Sequence, residues 1–287
     1  MKVIEEPEEL RALLGQARSQ GKEVGFVPTM GSLHGGHRSL IRRAAAERAV
    51  VAVSVFVNPL QFGPGEDFES YPRDLDADCE QAEQAGAQLL FAPSTQAMYG
   101  NGLLTSVSVK RLSEVLEGWY RPGHFEGVAT AVTKLLAIAG PCHAYFGEKD
   151  YQQLLVVRQL VSDLSLPVVV VACPTVREPD GLALSSRNAY LGPQERRAAS
   201  VLYSALLAGQ RAVEEQGVTD PVQVQEAMRA VASREERFRL DYAEVARPGD
   251  LSVPQVIDSE VRLLIAGQLG SARLIDNVSA VPAGMGG

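Results

Sequence analysis

Two of the four histidines in this 287-residue chain stand three residues apart in "PTMGSLHGGH", at His34 and His37. With Gly31, Gly35 and Gly36 beside them, the rings suit a loop whose backbone closes on an anion such as a nucleotide phosphate. A lone histidine would read instead as a helix cap or a surface residue. The loop has neither the GK[ST] of a Walker A loop nor a GxGxxG fingerprint. In "VNPLQF", Asn58 and Gln61 offer amides, which bond hydroxyls and carboxylates without adding charge and so suit a small hydroxy acid. Taken alone, that stretch reads equally as an Asn-Pro turn with an exposed glutamine. In "FGEKDYQQL", Lys149 is a mobile point charge for phosphate, Asp150 an acceptor for ribose hydroxyls, and Gln153 follows one turn later. Alone, the same stretch is a solvated helix start. In "LALSSRN", Ser185, Ser186 and Arg187 set two hydroxyls and a guanidinium together, as a phosphate clamp or as a polar interdomain loop. Arg121 and His124 of "YRPGHFEG" stay open between work at the phosphates and a structural role, and His143 has no role. Trp119 reads as packing. The acids around Asp78 read as a solvated helix face in preference to a metal site, and the metal ligands stay unknown.

Elements must bring these residues to one edge. "EVGFVPT", "VVAVSVFV", "AQLLFAP", "HAYFG" and "PVVVVACP" are apolar, β-branched runs closed by Gly or Pro, as buried parallel strands are. Helical patterns such as "HRSLIRRAAAERA", "DLDADCEQAEQAG", "GVATAVTKLLAIAG" and "YQQLLVVRQLVSDL" lie between them. The alternation predicts a doubly wound α/β sheet over 1–175, with ligands at the carboxyl ends of the strands. The strand before the histidines ends near Pro28 and the helix after them starts near His37. From 176 to 287 the texture changes to helical runs over 193–217 and 221–233, then short strands "RLDYAEVA", "VRLLIAGQ" and "ARLIDNVS". These predict a smaller α+β domain acting as a lid. "TSVSVK", 105–110, reads as an exposed edge strand, and the tail "AVPAGMGG" as mobile.

With 46% hydrophobic residues the chain can bury a full core. A net charge of −8 argues against nucleic acid as partner, because such surfaces are basic. Three cysteines without metal or CxxC spacing fit a reducing compartment. No apolar run reaches spanning length, and the acidic N-terminus is unlike a signal peptide, so a cytoplasmic protein without membrane contact is expected.

The HxGH of "PTMGSLHGGH" resembles the signature of the nucleotidyltransferase superfamily. Six segments in order are similar to one family within it, the pantoate–β-alanine ligases: this one, "FVNPLQFGPGEDFESYPR", "EGWYRPGHFEGVAT", "FGEKDYQQL", "TVREPDGLALSSRNAYL" and "ARLIDN". The resemblance implies a Rossmann-like fold and ATP-dependent condensation of (R)-pantoate with β-alanine through a pantoyl adenylate. It implies catalytic roles for His34, His37, Lys149 and Arg187, and ATP contacts from Met30, Gly31, Gly147, Glu148, Asp150, Val176, Leu184, Ser185 and Ser186. Gln61 and Gln153 would bind the substrates, Asn58 would shape their pocket, and Tyr71 would form a wall. Mg²⁺ would accompany ATP, and a homodimer is implied. Cys142 stands where such relatives often carry an aspartate. Two further readings stand beside this one: a nucleotidyltransferase with a phosphorylated acceptor, and an ATP sensor without chemistry.

Overall fold

The structure, a computed structural model, describes residues 1–282, so 283–287 of the tail expected to be mobile lie outside the described residues. The chain divides into two units: Met1–Glu148 with Gln152–Pro174, and Lys149–Tyr151 with Thr175–Gly287.

In the first unit, strands β1 (Lys2–Ile4), β2 (Val24–Thr29), β3 (Val50–Val55), β4 (Leu89–Phe91), β5 (Cys142–Gly147) and β6 (Val168–Cys173) form one parallel sheet in the order β1-β4-β3-β2-β5-β6. Parallel neighbours require crossovers. These run through α1 (Pro7–Ser19), α2 (Gly35–Glu47), α3 (Leu75–Gln84), α4 (Thr95–Tyr99), α5 (Glu117–Tyr120), α6 (His124–Ala139) and α7 (Tyr151–Asp163). Burial of consecutive residues Val51 to Ser54 on β3 explains its unbroken apolar run, since both faces of the sheet are covered. Val27, Ile41, Val53, Leu90 and Tyr145 pack into one core. The winding passes from β2 outward to β3 and β4, then returns to place β5 on the other side of β2. The adjacent carboxyl ends of β2 and β5 thus form the switch point at which such sheets bind ligands.

Three local features differ from the sequence reading. β1 was not anticipated, because three residues paired only to β4 leave too short a pattern. "TSVSVK" is not a strand: the Val107 N–H donates to Thr130 Oγ1 on α6 (2.9 Å) instead of a strand carbonyl, and Val109 is buried. Helix α2 begins at Gly35, two residues before His37.

The second unit holds an antiparallel sheet of β7 (Phe238–Ala246), β8 (Val261–Leu269) and β9 (Ala272–Ala280), with β8 central. Helices α8 (Pro193–Ala198), α9 (Val201–Glu214) and α10 (Pro221–Ala232) belong to it. Leu202, Leu206, Met228, Val245, Leu263 and Ile265 form its core. The run 193–217, expected as one helix, breaks at Ala199–Ser200. There the Ser200 hydroxyl bonds back to the Arg197 carbonyl (3.1 Å) and Leu202 N–H closes a tighter turn onto Ala199. No helix among the described residues is long and apolar enough to cross a membrane.

Candidate active site

The loop leaving β2 is tied down before it reaches the histidines. Thr29 Oγ1 donates to the Ser54 carbonyl (2.7 Å) and accepts from Gly31 N–H (3.1 Å). Gly31 has φ +83°, and a Cβ there would lie 2.7 Å from Asp78 Oδ2, so glycine is required on both counts. Ser32 follows at φ +51°, a strained value for a residue with a side chain. The restraint comes from Asp78 on α3, which is 2% exposed and accepts from Ser32 N–H (3.0 Å) and Leu33 N–H (2.7 Å). Burial pushes this carboxyl above its ordinary range, and the two N–H bonds only partly offset the effect. Asp78 is therefore no solvated acid, as its acidic helix suggested, but the anchor of the histidine loop.

His34 caps α2: its Nδ1 accepts from Gly36 N–H (3.1 Å). A neutral ring used in this way carries its proton on Nε2, which makes that nitrogen a donor. The His37 ring lies 4.1 Å away, tilted by 39°, so the two imidazoles stack at the start of the helix. Met30, at the head of the loop, places its sulfur against Gln61 Nε2.

That contact belongs to an amide hub. Asn58 is 2% exposed, and its side chain is fully used inside the chain. Nδ2 donates to the Gly127 carbonyl (3.0 Å) and Gln61 Oε1 (3.2 Å), while Oδ1 accepts from Leu60 N–H (3.1 Å) and the Tyr99 hydroxyl (2.7 Å). Asn58 thus sets the orientation of Gln61. Gly127 on α6 lets the short 3-10 helix Pro59–Gln61 approach, since a Cβ there would lie 2.0 Å from the Leu60 carbonyl oxygen. The Gln61 carbonyl accepts from His124 Nδ1 (2.8 Å), and Arg121 Nη1 donates to His124 Nε2 (3.1 Å). Arg121 is held in turn by Glu66, with contacts of 2.6 and 2.8 Å. Both residues left open by sequence therefore brace the Gln61 segment. Tyr71 is buried, edge-on to Phe62. Trp119, expected to pack, is 76% exposed because the four-residue α5 turns it outward.

On α7, Gln153 is half-buried. Its neighbour Gln152, which sequence reading passed over, is buried and binds the Leu112 and Val115 carbonyls (2.7 Å each) and the Glu117 N–H (3.1 Å). Gly147 ends β5 opposite Cys173, and Glu148 opens a 3-10 turn, Glu148–Asp150. Lys149 and Asp150 thus sit ahead of α7, not on its first turn.

In the second unit Lys149 Nζ lies 3.4 Å from Asp150 Oδ1, and the Lys149 carbonyl accepts from Asn277 Nδ2 (2.8 Å). The Val176 carbonyl accepts from Leu184 N–H (2.9 Å), and Arg177 bridges to Ala183, so 176–184 forms a narrow hairpin. Ser185 Oγ then caps a 3-10 turn over Ser186–Tyr190 by accepting from Arg187 N–H (3.3 Å). Ser186 and Arg187 are half-buried within that turn. Among the described residues no group of three or more His, Cys, Asp or Glu is placed to hold a metal.

Comparison with known proteins covers nearly all of the chain. A family model described as pantoate-beta-alanine ligase matches residues 2–279. Pantothenate synthetase of Thermus thermophilus is 51% identical over 286 residues, covering 98% of this chain and 100% of that protein. Its counterpart in Aquifex aeolicus is 48% identical over 270 residues, covering 94% and 95%. The crystal structure of the Thermus thermophilus enzyme has a TM-score of 0.93 to this one at 49% identity, covering 98% and 100% of the two chains. That of pantoate-beta-alanine ligase from Francisella tularensis, complexed with beta-gamma ATP and beta-alanine, has a TM-score of 0.80 at 34% identity, covering 97% of each.

Proposed function

The chain belongs to the pantoate–β-alanine ligase family, and from that premise we propose that it condenses (R)-pantoate with β-alanine, converting ATP to AMP and pyrophosphate. A carboxylate is a poor acyl donor, so its oxygen must first become part of a better leaving group. The pantoate oxygen attacks the α-phosphorus as the bond to pyrophosphate breaks, giving pantoyl adenylate. The β-alanine amine then attacks the acyl carbon: the amide bond forms, the bond to AMP breaks, and the nitrogen releases a proton. This chemistry asks the protein for positioning and for charge stabilisation.

The observation that carries the reading is the anchored histidine loop, because His34 presents an Nε2 donor from the N-terminus of α2, where positive dipole and ring favour an anion together. His34 and His37 serve the phosphates. Lys149 and Arg187 add positive charge for the phosphates, and Ser185 and Ser186 add hydroxyl donors. Backbone at Met30, Gly31, Gly147, Glu148, Val176 and Leu184 meets the nucleotide, and Asp150 the ribose. Gln61 and Gln153 hold the substrates beside Tyr71, with Asn58 acting through Gln61. The thioether now facing Gln61 Nε2 is a weak acceptor, which a substrate oxygen would displace at little cost. Mg²⁺ bound to the ATP phosphates would neutralise part of their charge, beside the charge that His34, His37, Lys149 and Arg187 supply. The reaction would run in the cytoplasm, since three cysteines without metal or CxxC spacing fit a reducing compartment. The protein acts as a homodimer, for which the exposed apolar side chains Leu104, Val115, Trp119 and Tyr120 offer material; light scattering that finds only monomer at micromolar concentration refutes this.

The deciding experiment is exchange of labelled pyrophosphate into ATP with pantoate and Mg²⁺ but without β-alanine. Exchange is expected, and His37→Ala should slow it by roughly a hundredfold. Exchange that requires a phosphorylated acceptor would identify another nucleotidyltransferase. ATP binding without any exchange would identify a sensor.

A further inference from the structure

"ARLIDN" is the one motif above to which no chemistry has been attached, and it forms the first six residues of β9. Its last two residues, Asp276 and Asn277, are both buried, at 4% exposure each. Buried polar side chains are costly unless each finds partners. Successive strand residues point to opposite faces, and these two serve different segments. Asp276 accepts from Arg177 through both oxygens (2.6 and 2.9 Å), and one of them also takes Asn277 N–H (2.7 Å). Arg177 continues to the Gly181 carbonyl (3.0 Å) and the Asn277 carbonyl (3.2 Å), and its guanidinium lies 4.2 Å above the Tyr203 ring. The turn of the 176–184 hairpin is thereby fixed to β9 and pressed on Tyr203, where a Cβ at Gly181 would lie 2.0 Å from the ring. That hairpin delivers Ser185 to Arg187. On the other face, Asn277 Nδ2 holds the carbonyl of Lys149 (2.8 Å) and so fixes the point from which the lysine stem leaves the backbone.

We infer that Asp276 and Asn277 are positioning residues for adenylation: one dipeptide on β9 holds both Lys149 and the segment Ser185–Arg187 in place. The inference rests on the reading in which those groups meet the phosphates of ATP. A packing role alone would be filled as well by apolar neighbours on this strand, whereas two adjacent polar residues directed to two phosphate-binding segments require a reason beyond stability. Loss of either should slow the step that moves charge onto the phosphates and spare the step in which pyrophosphate has already left.

The test compares wild type with Asn277→Asp, Asn277→Gln, Asp276→Asn and the double variant Asp276→Asn/Arg177→Gln. Three quantities are measured: pyrophosphate exchange with pantoate, amide formation from preformed pantoyl adenylate with β-alanine, and thermal midpoint. Asn277→Asp keeps the shape and removes the donor to Lys149. Its kcat for exchange should fall about tenfold, with amide formation within about twofold of wild type. Asn277→Gln, which keeps a donor amide, should recover part of the loss. Asp276→Asn should likewise slow exchange selectively, and the double variant should be no slower than the single one, since Asp276 acts through Arg177. If wild type exchanges but Asn277→Asp and Asp276→Asn exchange equally fast, the inference alone is overturned. Both half-reactions falling together, in step with lost thermal stability, overturns it as well. If wild type does not exchange at all, the functional reading fails and takes the inference with it.

Discussion

Replacing Asp78 with alanine tests whether a residue far along the chain holds the histidine loop. The change strips the acceptor from the part-buried N–H of Ser32 and the buried N–H of Leu33, now bonded at 3.0 and 2.7 Å. A buried donor left unsatisfied costs about 1–3 kcal/mol, so the pair costs about 2–6 kcal/mol. The variant also escapes burying a carboxylate, which is unfavourable here because burial raises the folded pKa. Together these place the loss at about 3 kcal/mol, a large part of the ~5–15 kcal/mol that holds a domain together. Asp78→Asn keeps one acceptor and should lose about 1–2 kcal/mol. Urea unfolding gives these differences. Pyrophosphate exchange should fall more than about tenfold in the alanine variant, because Ser32 at φ +51° loses its restraint and His34 is displaced with it. The pH dependence has a definite sign. Between the ordinary value and the raised folded value, the folded state binds more protons than the unfolded one, so stability from this group falls as pH rises. The advantage of wild type over Asp78→Asn should therefore widen on acidification into that window. An alanine variant with wild-type stability and wild-type exchange refutes the anchoring argument.

Glu66 should show the opposite sign. Burial pushes its carboxyl up, but the hydrogen bond and charge of Arg121 outweigh that and hold it below the ordinary range. Its contribution is therefore complete above the ordinary carboxylate value and is lost as pH falls through the folded one; Glu66→Gln should be about 1 kcal/mol less stable near neutrality and converge on wild type in acid, as read by urea unfolding at both pH values. Gly127→Ala places a methyl 2.0 Å from the Leu60 carbonyl oxygen. The 3-10 helix Pro59–Gln61 must move, so the variant should lose about 1–3 kcal/mol and weaken pantoate use more than ATP binding, which calorimetry separates. Gln61→Ala should lower pantoate and β-alanine use by about 1.5–3 kcal/mol with ATP affinity unchanged; an equal fall in ATP affinity would remove Gln61 from the acid pocket.

What the sequence determined by itself was whatever depends on neighbours along the chain. The strands from "EVGFVPT" to "PVVVVACP" are legible because β-branched runs closed by Gly or Pro leave little other choice, and the parallel sheet follows from their alternation with helical periods. The stacked histidines were legible as a loop between strand and helix, since Gly31 and the short spacing require a tight turn. Burial and partner choice were not legible, because they are settled by residues remote in sequence. Asp78 looks like any acid on an acidic helix until the fold brings it to Leu33, 45 positions earlier. Asn58 reads as part of an Asn-Pro turn, and its enclosure by Tyr99 and Gly127 is not written near it in the chain; Trp119 reads as packing, yet it is exposed. "TSVSVK" has the period of a strand, yet Thr130 on α6 takes the N–H of Val107. The coupling of Lys149 to Asn277 spans 128 positions. Propensity and turn chemistry act within a few residues and can be read in order; a buried polar group must be satisfied by whichever partner the packed chain brings to it, and only the tertiary structure decides which that is.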